Sequence, residues 1–229
     1  MKATQTQAIE DYLKTIYKID ASGKRVSTSA IARRLKVAQA SVTGMLKKLS
    51  EMKLVEYAPY RDTRLTEAGR KIALETIRHH RLLELYLKEA MGYTWDKVHD
   101  EAEKLEHHIS EEFEEKMDEF LGRPSFDPHG APIPTKEGEI PSSNNQPLSA
   151  FPVGVTVKIE RVSDDDPAKL RYFGELNLYP QSKIIITAKE PFNGPLHILH
   201  NDKQHVLSKE LSDTIFVIEI TPESDSDAA

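Results

Sequence analysis

Residues 27–49 read STSAIARRLKVAQASVTGMLKKL and decide the fold of the N-terminal region. Ser27 or Ser29 can cap a first helix, because a serine side chain accepts a hydrogen bond from a free amide of the first turn. Apolar residues then recur at helical spacing on both sides of the turn KVAQAS, which predicts a second helix over about 40–52. The apolar positions are Ile31, Ala32, Leu35, Val42, Met45, Leu46 and Leu49. Two short helices joined by a turn are typical of a helix-turn-helix.

The flanking segments extend this pattern to a winged helix-turn-helix. An amphipathic helix is predicted over 7–20, where QAIEDYLKTIYKID places apolar residues at helical spacing. A hairpin is predicted downstream, because the β-type runs LVEY at 54–57 and TRLT at 63–66 flank the turn-like PYRD. The order helix, helix, turn, helix and hairpin predicts a winged helix-turn-helix domain over residues 1–72.

The charge of the chain changes sign between its first two regions. Residues 1–72 hold 15 Lys and Arg against 7 Asp and Glu, whereas residues 73–121 hold 6 against 14. The net charge of the whole chain is −6, which alone argues against a nucleic-acid partner. The basic first region nevertheless favours a polyanionic partner.

The second helix of the motif begins with small or hydrogen-bonding residues and carries cations on later turns, as a helix in the DNA major groove requires. The candidate DNA-contacting residues of the motif and wing are Arg33, Arg34, Gln39, Ala40, Ser41, Thr43, Lys47, Lys48, Arg61 and Arg64. We therefore predict double-stranded DNA as a partner. The alternative is a three-helix bundle with a cationic solvent face.

The rest of the chain predicts a helical region followed by a small β-barrel. Helices are predicted over 67–87 and 94–121, and the stretch over 122–152, rich in Pro, Gly, Ser and Asn, reads as loop and linker. Short β-branched runs then surround one short helix near 168–176. The fold class is therefore mainly α with a C-terminal small β-barrel. The predicted boundaries after residue 72 are a helical domain at 73–140, a linker at 141–152, a β domain at 153–221 and a disordered tail at 222–229.

The chain contains no cysteine, which excludes disulfides, thiolate metal sites and cysteine nucleophiles. Its N-terminus lacks the apolar core of a signal peptide, and no apolar run approaches the roughly 18 residues of a membrane-spanning helix. We expect a cytoplasmic protein with no membrane partner.

Potential metal ligands are concentrated on one face of the helix predicted over 94–121. At about 100° per residue, one narrow stripe holds two imidazoles and two carboxylates. These belong to His99, Glu103, Glu106 and His107. The preceding helix adds His80 and Glu84 as an i, i+4 pair. Nitrogen and oxygen donors without sulfur suit Mn²⁺ or Fe²⁺ and leave Zn²⁺ open. The alternative is a solvated, charged helix face, which we predict for EEFEEK at 111–116, with His79 as a bystander.

Together these segments resemble the diphtheria-toxin-repressor family of metal-dependent transcriptional regulators. The matching stretches are EDYLKTIY at 10–17, SVTGMLKKL at 41–49, LTEAGRKIA at 65–73, HHRLLELYL at 79–87, HDEAEKLEHHIS at 99–110 and PHGAPIP at 128–134. The resemblance covers nearly the whole chain. It implies a winged helix, a helical dimerisation and metal-binding domain and a C-terminal SH3-like, FeoA-like domain. It also implies a homodimer that represses metal-uptake genes, and not an enzyme.

The resemblance implies two metal sites. The residues implied for the primary site are Asp11, Glu103, Glu106 and His107. The residues implied for the second site are His80, Glu84 and His99, completed from the C-terminal domain, where the nearest candidate is Asp166 in the acidic run 164–166. The position that supplies a Gln ligand in iron-responsive members is Lys169, which cannot ligate as a cation. Arg81 matches a residue that helps to hold an anion beside the second site in some members.

Two positions bear on the choice of metal. Asp11 and Glu103 stand where iron-responsive members resembling this chain have Met and Cys, and manganese-responsive members have Asp and Glu. Hard carboxylates in place of soft sulfur favour Mn²⁺. Short manganese regulators also use a Glu one turn after the Asp, and here that position is Lys14. We therefore expect two separated Mn²⁺ sites per subunit, with Fe²⁺ as an alternative and Zn²⁺, Co²⁺ or Cd²⁺ as substitutes in vitro.

Three other functions stay open at this stage. An iron(II)-responsive regulator would have the same architecture. A carboxylate/histidine metalloenzyme of the di-iron bundle type needs Glu-x-x-His motifs on paired helices, and the sequence has one candidate of comparable form, at 103–107. A DNA-binding regulator that responds to an organic ligand would leave the His and Glu stripe without a role.

Overall fold

The computed structural model describes residues 7–58 and 61–220, and the tail predicted at 222–229 lies outside them. The chain forms two compact units. Unit 1 comprises the described parts of Met1–Leu83, Glu103–Phe120 and Ile133–Ile140. Unit 2 comprises the described parts of Glu84–Ala102, Leu121–Pro132 and Pro141–Ala229.

Unit 1 contains the predicted helix-turn-helix and its wing. Its first elements are α1 Gln7–Ala21, α2 Thr28–Leu35, α3 Gln39–Glu51, β1 Val55–Glu56 and β2 Arg64–Leu65. The two strands pair antiparallel. Ser27 caps α2, because its side-chain oxygen accepts a hydrogen bond from the Ala30 amide at 3.1 Å. These elements confirm the predicted order of helix, helix, turn, helix and hairpin.

The first three helices of unit 1 share one hydrophobic core. Fully buried side chains at its centre are Leu13, Ile16, Ile31, Val42, Leu46 and Leu49. Helix α4, Glu67–Glu89, starts against this core. A Cβ atom at Gly69 would lie 2.0 Å from the Leu54 carbonyl oxygen, so the close approach of α4 to the strand region requires glycine there.

The single helix predicted over 94–121 is wrong, because the structure divides this stretch into α5 Val98–Leu105 and α6 Glu111–Phe120. Ser110 starts the second helix, since its side-chain oxygen accepts a hydrogen bond from the Phe113 amide at 3.1 Å. Acidic residues in the first turn of α6 favour the same start. His79 Nδ1 lies 3.1 Å from the Glu106 carbonyl oxygen, an acceptor that a continuous helix would use internally.

Unit 2 is built around a six-stranded antiparallel sheet. Its strands are β3 Gln146–Pro147, β4 Thr156–Val162, β5 Lys183–Lys189, β6 Leu196–His200, β7 Lys203–Leu207 and β8 Ile215–Glu219. Their order across the sheet is β3-β8-β4-β5-β6-β7. The β-sheet domain is therefore confirmed, but among the described residues β3 and β7 are edge strands and the sheet is open. Two short helices, α7 Pro167–Glu175 and α8 Lys209–Ser212, accompany the sheet.

The core of unit 2 lies between α7 and one face of this sheet. Leu170 and Phe173 of α7 are fully buried, and they share this core with alternate residues of β4 and β5: Val157, Ile159, Ile184 and Ile186. Trp95 joins this core. Its ring centroid lies 4.7 Å from that of Tyr179 and 5.7 Å from that of His129, which holds the His129 loop against the same core.

Candidate metal centres

The first candidate metal centre lies in unit 1, between α1 and the segment after α5. Asp11 is on α1, and Glu106 and His107 directly follow α5. His107 Nε2 lies 2.9 Å from Asp11 Oδ1 and 3.3 Å from Glu106 Oε1. We call these three residues the His107 cluster. The structure thus brings together three of the four residues predicted for the primary site, with one donor atom from each within 4.8 Å of the others.

Glu10, which the sequence analysis missed, orients the imidazole of this cluster. His107 Nδ1 donates a hydrogen bond to Glu10 Oε2 at 2.5 Å. In a neutral ring the lone pair is therefore on Nε2, the nitrogen that faces the two cluster carboxylates. That Nε2 makes an ion-pair contact with Asp11 at 2.9 Å, but the contact does not have hydrogen-bond geometry. An imidazole nitrogen that faces two carboxylates fits a divalent cation with nitrogen and oxygen ligands.

Without a metal, the His107 ring is held in its protonated form. Burial lowers the pKa of His107, but the carboxylates of Asp11 and Glu10 outweigh it and raise the pKa to about 9. Binding a cation at Nε2 therefore requires the ring to release a proton.

Glu103, the fourth residue predicted for the primary site, contacts the ammonium group of Lys14. Lys14 Nζ also lies 2.8 Å from both carboxylate oxygens of Glu106. Glu103 Oε2 lies 3.2 Å from His80 Nδ1. Burial lowers the pKa of Lys14, but Glu106 and Glu103 raise it above its usual value. A buried, charged lysine thus engages two of the four predicted ligands.

The second candidate metal centre lies in unit 2, around Glu84. His99 Nδ1 lies 3.1 Å from Glu84 Oε1 and 3.4 Å from Asp164 Oδ2. We call Glu84, His99 and Asp164 the Glu84 cluster. Burial lowers the pKa of His99, but Asp164 and Glu84 raise it to about 10. The C-terminal domain therefore contributes a carboxylate, as the resemblance implied, but from Asp164.

Asp166, the residue predicted for this role, has a different contact. Its Oδ1 accepts a hydrogen bond from the Ala168 amide at 2.9 Å and caps α7. Pro167 follows at the first position of that helix, which is a common start signal. Lys169 pairs with Glu210 at 2.7 Å. The structure thus brings Asp164, and not Asp166, to His99.

His80 and Arg81 lie on α4, one turn before Glu84. His80 is buried, and its Nδ1 lies 2.5 Å from Glu106 Oε2. Arg81 is half-buried. His80 and Glu84 therefore share one face of α4. His80 Nδ1 contacts Glu106, which belongs to the His107 cluster.

The solvated face predicted for EEFEEK at 111–116 is wrong at Glu114. Glu114 is buried, its Oε1 lies 2.5 Å from Arg78 Nε and its Oε2 lies 3.1 Å from His79 Nε2. Burial raises the pKa of Glu114, but His79 and Arg78 lower it to about 2. These residues form a structural ion-pair network in unit 1.

The candidate DNA-contacting residues lie on the surface of unit 1. Nine of the ten are exposed. The exception is Thr43, which is half-buried and whose hydroxyl donates a hydrogen bond to the Gln39 carbonyl oxygen at 3.1 Å. Ala38 precedes α3 without a side-chain cap, so the free amides of the first turn can donate to a phosphate.

Comparison with known families covers both the basic and the ligand-bearing parts of the chain. Residues 5–63 match the iron dependent repressor N-terminal DNA binding domain. Residues 66–135 match the iron dependent repressor metal binding and dimerisation domain, and residues 146–219 match the FeoA domain. The iron-dependent repressor IdeR of Mycobacterium leprae is 34% identical over 169 residues, which span 68% of this chain and 74% of that protein.

The chain belongs to this family of metal-dependent transcriptional repressors. Its members are DNA-binding regulators, which excludes the metalloenzyme alternative. The diphtheria toxin repressor of Corynebacterium diphtheriae is 28% identical over 222 residues, covering 92% of this chain and 96% of that family member. A manganese-dependent transcriptional repressor, solved in complex with manganese, superposes with a TM-score of 0.88 at 36% identity, covering 93% of this chain and all of that one.

No helix in the described parts of the chain is long and apolar enough to cross a membrane.

Proposed function

We propose that the chain is a homodimeric repressor that binds operator DNA when Mn²⁺ is bound and controls metal-uptake genes. The His107 cluster carries this proposal. It joins a carboxylate of the DNA-binding region to an imidazole and a carboxylate that follow α5, and it contains no sulfur. Oxygen-rich sites with imidazole suit Mn²⁺.

The primary site is proposed to consist of the His107 cluster together with Glu103. The second site is proposed to consist of the Glu84 cluster together with His80, with Asp164 in the role first predicted for Asp166. Arg81 is proposed to hold an anion near the second site. We further propose the division into domains at 1–72, 73–140 and 153–221, the last an SH3-like domain, and a cytoplasmic location.

The proposed coupling runs through α1. Asp11 is on this helix, which packs with α2 and α3 in one core, so restraining α1 also restrains the recognition helix α3. A bound divalent cation supplies positive charge to the primary site. Without it, only the protonated His107 and the Lys14 ammonium balance the carboxylates of Asp11 and Glu106, so the repulsion between these carboxylates is only partly offset. Metal affinity and operator affinity are then linked, and each changes the other by the same factor.

A DNA-binding titration tests this proposal. A labelled duplex, selected from a random library in the presence of Mn²⁺, is titrated with the full chain in saturating Mn²⁺ and in chelator. Asp11→Ala should weaken Mn²⁺-dependent binding at least about tenfold, since even loss of a residue that only supports a metal ligand costs roughly 10–100-fold in metal affinity. Asp20→Ala, at an exposed position of the same helix, is the matched control. Undiminished affinity of the Asp11→Ala chain in saturating Mn²⁺ would contradict the mechanism.

The alternative is an iron(II)-responsive repressor of the same architecture. The relative from Mycobacterium leprae is named as iron-dependent, which supports this alternative. The oxygen-rich donor set of the His107 cluster favours Mn²⁺ instead. Repeating the titration with buffered Mn²⁺, anaerobic Fe²⁺, Zn²⁺, Co²⁺ and Cd²⁺ separates the two. Activation by Fe²⁺ at a lower free concentration than Mn²⁺ would favour the iron-responsive function.

A further inference from the structure

A cavity of about 210 Å³ in unit 1 adjoins the His107 cluster. His107 and Glu106 form part of its wall, although their side chains are only 2% and 0% exposed. Three further carboxylates on this wall come from three helices: Glu10 of α1, Glu75 of α4 and Glu111 of α6. A cation needs a route to these buried ligands, and this cavity reaches two of the three cluster residues.

The wall of this cavity is acidic. Among the described residues that form it are four glutamates and two histidines, but no lysine or arginine. Glu106 and Glu10 are engaged by Lys14 and by the cluster imidazole. Glu75 and Glu111 are exposed, so they present negative charge to a cation that approaches from solvent.

A larger cavity of about 650 Å³ continues this route outward within unit 1. The residues common to the walls of both cavities are Glu10, Ile72, Glu75 and Glu111. The larger cavity is also lined by the cations Lys71, Arg78 and Lys136. Glu75 and Glu111 therefore lie where a wall of mixed charge meets the acidic wall of the smaller cavity.

The smaller cavity has room for a divalent cation together with its water. One water occupies about 30 Å³ of liquid volume, so an octahedral shell of six waters needs roughly 180 Å³. Within the described chain, Glu10, Glu75 and Glu111 do not form a group whose donor atoms converge within 4.8 Å. Their spacing thus suits contact with a cation through its water molecules and not direct coordination.

We propose that the smaller cavity is the entry chamber of the primary site, where a hydrated divalent cation contacts Glu75 and Glu111 before it binds the His107 cluster. The inference rests on the proposed metal-dependent function and adds two steering residues that are not metal ligands. A cleft of opposite charge raises the local concentration of a cation and its association rate. Glu75 and Glu111 thus set how fast the primary site responds to Mn²⁺.

The test follows Mn²⁺ association with the full chain by stopped flow, with a fluorescent chelator reporting free Mn²⁺. The kinetic phase that is lost in the Asp11→Ala chain belongs to the primary site. The cavity variant combines Glu75→Gln with Glu111→Gln. Its matched control combines Glu67→Gln with Glu112→Gln, at exposed positions of the same two helices that do not line the cavity. Circular dichroism compares the folding of all chains.

The cavity variant should slow primary-site association about tenfold at low ionic strength, which is the lower end of the range for charged clefts. The difference should shrink as salt is added, because exposed charges are screened. The control and the second-site phase should keep their rates. Equal rates in the cavity variant and the control, whether slowed or not, would overturn the inference. Failure of the unmodified chain to bind Mn²⁺ would instead overturn the proposed function.

A measurement on the unmodified chain covers the case in which the cavity variant does not fold. Hexaamminecobalt(III) resembles a hydrated cation but does not exchange its ammine ligands for protein ligands. It should slow Mn²⁺ association with the primary site, and soaked crystals should give an anomalous cobalt peak beside Glu75 and Glu111. Absence of a cobalt peak from the cavity would overturn the inference.

Discussion

The two candidate metal centres balance their carboxylates with different cations. In unit 1 a lysine is built into the site, since the ammonium of Lys14 contacts Glu103 and Glu106. In unit 2 the carboxylates of Glu84 and Asp164 face the imidazole of His99. A lysine ammonium cannot become a metal ligand while it stays charged, whereas an imidazole becomes one when it releases its proton.

The centre in unit 1 is therefore partly assembled without a metal. Lys14 links α1 to the segment after α5, the same two elements that the His107 cluster joins. Its fixed charge also offsets part of the repulsion among the carboxylates. Lys14 stands where the resemblance to short manganese regulators implied a carboxylate. The site thus has a permanent cation in place of a further metal ligand.

Removal of the Lys14 ammonium should change the stability of the chain more than any other substitution considered below. Lys14→Met should lower the free energy of unfolding by about 3–5 kcal/mol in chelator, because buried Glu106 loses the lysine ammonium that contacts both of its carboxylate oxygens. Chemical denaturation followed by circular dichroism measures it. Lys24→Met, at an exposed position just after α1, should change the stability by less than about 0.5 kcal/mol. Equal stability of the two variants would mean that Lys14 does not balance the centre.

Arg78 and Glu114 form a buried ion pair that includes none of the predicted metal ligands. Its contribution to stability can therefore be compared with that of Lys14. Glu114→Gln should lower the free energy of unfolding by about 2 kcal/mol at neutral pH. Because the pKa of Glu114 is lowered to about 2, its stabilisation is present above pH 4.5 and is lost as the pH falls through about 2. Denaturation at several pH values should show a weaker acid dependence in this variant.

Glu115→Gln is the control for this pair, since Glu115 is the exposed neighbour of Glu114 on α6. It should keep the acid dependence of the unmodified chain. The same loss of acid dependence in both variants would assign the effect to helix α6 in general and not to the buried pair.

Local sequence patterns predicted the helix-turn-helix, because its apolar spacing reflects the core directly. They placed Glu106 and His107 near each other, but as parts of one long helix. His107 in fact lies beyond the end of α5 at Leu105, so helix geometry does not set its direction. The local signal for the break is Ser110, whose side chain caps α6.

Most of the site contacts that local sequence patterns did not predict join residues far apart in the chain. Asp11 came from the resemblance and not from spacing, since it lies on a separate helix. Lys14 reaches its carboxylates through tertiary packing, and nothing in its local sequence marks those partners. Asp164 and Asp166 lie in one acidic run, and the choice between them depends on where α7 begins.

The smallest of these effects concerns the orientation of His107. Glu10→Gln should weaken Mn²⁺ binding at the primary site about tenfold, because an amide accepts the Nδ1 hydrogen bond more weakly than a carboxylate does. Calorimetric titration measures this change, and the affinity of the second site should stay constant. Asp20→Asn, also on α1, is the control and should leave both affinities unchanged. If Glu10→Gln binds Mn²⁺ as tightly as the unmodified chain, then packing alone orients His107. In that case the Glu10 hydrogen bond would not contribute to the Mn²⁺ affinity of the primary site. Lys14 would then be the one feature that distinguishes the centre in unit 1 from the centre in unit 2.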